Sequence, residues 1–178
     1  MASFLIAERE QAGWRFLTLW LLATVIGFSL GIALELLISG AITLYLSIPL
    51  SALGQATIIN RHLSVYLPWV VGTSLFGWVG IVLASSLFGM IVTTDSLLIE
   101  LLRLMFLGFV GGTLAGIPQW FYLREWLPQV GIWWVFLHGL AWALFFLPGI
   151  ITGVILMRFI TADKVPMYKR HYQISGEF

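Results

Sequence analysis

The stretch Leu98–Leu123, LIELLRLMFLGFVGGTLAGIPQWFYL, decides the fold class. It is long enough at 1.5 Å rise per residue to cross a bilayer core of about 30 Å as one helix. Its polar residues are few, and Gly108, Gly112 and Gly116 fall four apart on one helix face. Similar apolar runs fill most of the chain. Of its 178 residues, 60% are apolar and 10% charged, against about 25% charged in soluble domains. So few charges cannot cover a water-exposed surface, whereas hydrocarbon removes that demand. The reading is an all-α integral membrane protein.

About five spans follow from a window near 20 residues. They run over 16–38, 41–59, 66–92, 98–123 and 131–157, as one transmembrane domain over 16–157. Residues 1–15 form an N-terminal flank and 158–178 a polar tail. Thr93-Thr94-Asp95-Ser96 is a polar break with helix-capping chemistry, and Pro148-Gly149 interrupts the last span. Glu8, Arg9 and Glu10 precede the first apolar run with no small-residue cleavage site behind it, so the first span is expected to remain as an anchor.

An internal echo runs through these spans. Ser47, Ser51 and Gln55 are spaced four apart, and Gly111, Ala115 and Gln119 repeat that spacing 64 residues later; Trp78 and Trp142 keep the same offset. A fixed offset implies a duplicated unit, here a parallel repeat of two helices. Helical rise then places Gln55, Gln119, Thr24, Ser74 and His138 in one polar layer. That layer is either a site for a small polar ligand, water or ion, or a hydrogen-bonded clasp between helices.

Three further constellations carry expectations. Glu35 is an intramembrane acid, and a Glu35–Arg103 pair would satisfy both charges. The Gly108-Gly112-Gly116 face admits close helix approach, either within the bundle or toward another membrane subunit. His138 could ligate a haem or chlorophyll metal, although no second axial histidine lies inside a span, and no cofactor is expected on balance. No catalytic residue set and no metal motif is recognisable. Absence of cysteine excludes disulfides and thiolate sites, and a net charge of +1 points to no nucleic-acid partner.

Gly112-x-x-x-Gly116-x-x-Gln119-Trp120-x-x-Leu123-Arg124, followed by Trp133-Trp134 and Ala141-Trp142, resembles a motif of uncharacterised bacterial, especially cyanobacterial, polytopic membrane proteins. Their Gly-x-x-x-Gly-x-x-Gln-Trp-x-x-Leu-Arg repeats are each followed by a Trp-rich helix. The first copy departs from this, with Thr57-Ile58-Ile59-Asn60 after Gln55. The resemblance implies a small polytopic protein of the plasma or thylakoid membrane and nothing catalytic.

Three functions compete on this reading. The first is a non-catalytic subunit or assembly factor of a larger membrane complex, its partners being the bilayer and other subunits. The second is a small transporter or channel for a polar solute or ion. The third is a binder of a pigment or lipid-soluble cofactor. Five spans put Arg9, Arg15, Arg61 and Arg124 on one face, and Arg103, Arg158, Lys164, Lys169 and Arg170 on the other. The positive-inside count is then nearly tied, with a lean to a cytoplasmic N-terminus.

Overall fold

A computed structural model describes residues 2–40, 44–61, 63, 65–91, 96–144 and 148–161. Among these the chain forms six helices: α1 (Ala2–Ser39), α2 (Ser47–Ile59), α3 (Tyr66–Ile91), α4 (Leu97–Trp126), α5 (Trp133–Ala143) and α6 (Pro148–Thr161). Each packs on its sequence neighbour, and α6 returns to α1, so the six close into a ring. Gly13–Ser39 of α1, Tyr66–Gly89 of α3 and the whole of α4 are long and apolar enough to cross a membrane. The expected tail beyond Thr161 lies outside the described residues.

Two of the five expected spans take another form. The second, 41–59, contains a helix of only 13 residues, about 20 Å long. The fifth, 131–157, is not one helix. It divides into α5, of 11 residues, and α6, of 14. Pro148, which has no N–H to donate, stands at the first position of α6, where none is needed.

The two short helices run in opposite directions. Trp134 of α5 shares an apolar cluster with Trp20 of α1, and Trp142, two turns on, meets Phe28 at 5.3 Å between ring centroids. Advancing along α5 therefore means advancing along α1. On α6 the order reverses: Gly149 lies against Leu21 and Thr24, whereas Gly153 lies against Trp20 and Leu17. Thr152 accepts a 3.0 Å hydrogen bond from Trp20 Nε1 between them. α5 and α6 are therefore antiparallel, and α6 ends at the end of the bundle where α1's apolar run begins.

α2 depends on a carboxylate from α1. Its preceding residue, Leu46, offers no side-chain cap. Glu35, buried at 3% exposure, supplies the acceptors instead. Its Oε2 takes the N–H of Leu44 at 2.7 Å, and its Oε1 takes those of Leu46 at 2.5 Å and Ser47 at 3.3 Å. The helix N-terminus carries partial positive charge, which favours an anion there. Leu44 adopts φ +66° beside this clamp, and its side chain is buried against Ile48.

Two apolar clusters plug the ring. At the end where α1's apolar run begins lie Trp20, Ile59, Trp69, Leu123, Trp134 and Leu156; toward the other lie Leu44, Ile48, Ile81, Leu107 and Trp142. The Gly108-Gly112-Gly116 face turns inward onto α5. A methyl at Gly108 would lie 2.7 Å from the Trp142 carbonyl oxygen, at Gly112 2.6 Å from Trp142 Cβ, and at Gly116 3.1 Å from His138 Cβ. It is an internal seam, so it does not remain open for an outside helix.

Gly108→Ala should therefore destabilise the protein by about 1–3 kcal/mol, because backbone must move. Gly89→Ala, where a methyl meets nothing within 4 Å, should be neutral or slightly stabilising. Thermal unfolding of both variants in mild detergent checks this, and equal midpoints would contradict the packing described.

Candidate functional site

Thr24, Ser51, Gln55, Thr73, Ser74, Gln119 and His138 are polar residues buried inside the ring. On α1, Thr24 stands one turn beyond Trp20; its hydroxyl donates to the Trp20 carbonyl at 2.8 Å. That leaves its oxygen free to accept, and Gln55 of α2 donates to it through Nε2 at 3.1 Å. On α3, Thr73 stands one turn beyond Trp69, and Gln119 of α4 donates to its hydroxyl at 3.0 Å. Both glutamines thus reach back to a threonine on the preceding helix, four residues after a fully buried tryptophan.

Thr73 was not among the expected layer residues; Ser74 was. Ser74 is buried, but its hydroxyl has no partner. The offset explains the slip. Gln55 precedes Trp69 by 14 residues, whereas Gln119 precedes Trp134 by 15. The stretch from Gln119 to Trp134 is thus one residue longer than that from Gln55 to Trp69, so a fixed offset of 64 does not carry across it. The shared Trp-x-x-x-Thr spacing at 20–24 and 69–73 was the signal that picks Thr73. Thr152, buried and bonded to Trp20, carried no such signal.

His138 sits one turn beyond Trp134 on α5 and is 1% exposed. Its ring lies nearly parallel to Trp134, 6.1 Å between centroids at 16°, and edge-on to Trp142. Trp142 Nε1 donates to His138 Nε2 at 3.1 Å. An indole N–H can only donate, so Nε2 carries the lone pair and the single proton of the neutral imidazole is on Nδ1. Neither nitrogen then offers a free lone pair to a haem or chlorophyll metal. Among the described residues no group of three or more His, Cys, Asp or Glu side chains could hold a metal.

Glu35 and Arg103 are not brought together. Arg103 pairs with Glu100 one turn before it, through Nε at 2.8 Å and Nη2 at 2.5 Å, near the start of α4. Glu35 is held by the backbone at the start of α2. The long Arg side chain finds a carboxylate on its own helix, and the buried acid finds amide donors within twelve residues. Ser96 caps α4, accepting from Ile99 N at 3.2 Å, as its position in the polar break suggested.

The Gln-Trp-x-x-Leu-Arg segment serves structure at each position. Gln119 reaches Thr73, Trp120 Nε1 donates to the Val130 carbonyl at 3.0 Å, and Leu123 is fully buried. The Arg124 guanidinium lies 5.0 Å from the Trp120 ring centroid and 4.4 Å from that of Phe121.

What distinguishes the layer chemically is unmet hydrogen bonding. The hydroxyls of Ser51 and Ser74, Oε1 of Gln119 and Nδ1 of His138 are buried without a protein partner, as are Nε1 of Trp69 and of Trp134 in the adjoining cluster and the hydroxyl of Ser47 at the start of α2. Such groups are normally satisfied by water or ligand.

Comparison with protein-family models, with curated proteins and with solved structures finds no match to this chain.

Replacing Glu35 by Ala leaves amide donors without acceptors at the start of α2, and we expect a loss of about 3 kcal/mol. Glu35→Gln, which keeps one carbonyl acceptor, should lose about half of that. Denaturant titration in detergent micelles measures both; an Ala variant as stable as the parent would show that the clamp is dispensable.

Proposed function

We propose that this chain is an integral membrane protein that binds a small uncharged polar solute in the layer around Gln55, Gln119 and His138, and conducts it across the bilayer. The carrying observation is the set of buried, unpartnered donors and acceptors on Ser51, Ser74, Gln119, Trp134 and His138. A clasp alone would need only the two Gln–Thr contacts; the remaining unmet groups call for an occupant. The layer's polar side chains are hydroxyls, amides and a neutral imidazole, which suits an uncharged solute rather than an ion. The subunit or scaffold reading loses its best candidate face, since Gly108, Gly112 and Gly116 are covered by α5. The cofactor reading loses the His138 lone pair to Trp142.

The architecture in this proposal is a pair of related units, α1–α2 and α3–α4, followed by a re-entrant hairpin, α5–α6. Support comes from the matching Gln–Thr contacts and the reversal between α5 and α6. Discontinuous helices meeting polar groups inside the bilayer suit a transport site. The reversal also redistributes charge. Arg15, Arg61, Arg124 and Arg158 lie toward one end, and Arg103 at the other. By the positive-inside rule the first end is cytoplasmic, in a bacterial plasma or thylakoid membrane.

With no native cysteine in the chain, single cysteines report sidedness directly. Trp14→Cys and Thr161→Cys should both react with a membrane-impermeant maleimide from the cytoplasmic side only, and Leu97→Cys from the opposite side. Labelling of positions 14 and 161 from opposite sides would rule out the hairpin.

For transport, proteoliposomes should reswell faster than protein-free vesicles after a glycerol or urea osmotic step, read by stopped-flow light scattering. Gln119→Leu, checked for monodisperse elution, should return the rate to that of empty vesicles. Identical rates with and without the wild-type protein would end the transport reading.

A further inference from the structure

We infer that His138, Gln119 and Trp134 form a receptor for one hydroxyl group, belonging to a bound water or to a small polyol. This rests on the polar-layer reading above and gives it a specific chemistry. α4 and α5 are antiparallel, because Gly108 and Gly112 lie against Trp142 whereas Gly116 lies against Val135 and His138. Helical side chains lean toward their own N-termini. Gln119, three residues beyond Gly116, therefore leans along α4 toward His138, and His138 leans along α5 toward Gln119. Both are 1% exposed.

The unmet valences complement a hydroxyl. Nε2 of His138 is occupied by Trp142, so Nδ1 is an N–H donor with no partner. Nε1 of Trp134, on the ring parallel to the imidazole, is a second unpartnered donor. Gln119 has committed its Nε2 to Thr73, which leaves Oε1 as an unpartnered acceptor. A hydroxyl oxygen has two lone pairs and one hydrogen. It accepts from His138 and Trp134 and donates to Gln119. A metal cation finds no lone pair on the imidazole here, and a carboxylate or phosphate would meet the Gln119 carbonyl with no hydrogen to offer it.

The test uses the full chain in lipid, labelled with 13C,15N-histidine, and magic-angle-spinning NMR, with His138→Gln identifying the His138 resonances. The expected result is a His138 imidazole protonated on Nδ1, with a through-space cross-peak from that proton to water. On addition of 13C-glycerol, transfer of the cross-peak to glycerol identifies a polyol as occupant, and persistence of the water peak identifies water. Either supports the receptor. In Gln119→Leu the Nδ1–H form should persist, because Trp142 still fixes it, while the cross-peak is lost. Gln119→Glu, which restores an acceptor, should recover it. A proton on Nε2, or an Nδ1–H with no contact to water or glycerol in the wild type, would overturn the assignment. Because no flux is measured, a bound hydroxyl without transport would leave the receptor standing and remove only the conducting role.

Discussion

The start of α2 is the point on which the ring depends. A helix N-terminus exposes amide donors that need acceptors when it is buried. Here a carboxylate from the preceding helix accepts from Leu44, Leu46 and Ser47. The carboxyl oxygens of Glu35 are satisfied by the amides, and the amides by the carboxyl, so neither is left unmatched. Because the clamp sits near the end of α1, α2 runs back along α1 close enough for Gln55 to reach Thr24. The short α2 then delivers the chain to α3 at the level where Trp69 meets Trp20 edge to face, 6.0 Å between centroids.

Within the ring, polar groups are divided into two kinds. Thr24 with Gln55 and Thr73 with Gln119 bind helix to helix, at a modest free energy per contact, about 0.6 kcal/mol on average. The groups beside them that lack a protein partner carry a desolvation cost that only a hydrogen-bonding occupant offsets. Their number distinguishes this interior from a bundle held only by small-residue seams.

Much of this was legible in the sequence, for reasons that also explain the rest. The long helices α1, α3 and α4 announce themselves because twenty apolar residues in a row are a one-dimensional signal. The depth of Thr24, Gln55, Gln119 and His138 follows from helical rise. Direction is another matter. Hydropathy over 131–157 reports preference for hydrocarbon, and it is the same whether the chain continues past Pro148 or doubles back. Register is equally fragile, since Gln119 to Trp134 is one residue longer than Gln55 to Trp69, and a fixed offset of 64 then points to Ser74 where Thr73 acts. The partners of Glu35 and Arg103 are set by nearby backbone and by a neighbouring turn, neither of which a distant charge match anticipates.

The indole of Trp20 meets its acceptor, Thr152, across 132 positions of chain. During synthesis α1 is made first and α6 last, so this latch closes only after every other helix has been made. Until then a donor-bearing wall of α1 faces an unfinished interior. Completion of the ring is thereby tied to the arrival of its final member, and a ribosome-bound intermediate halted before α6 would present an open arc instead of a closed barrel of helices.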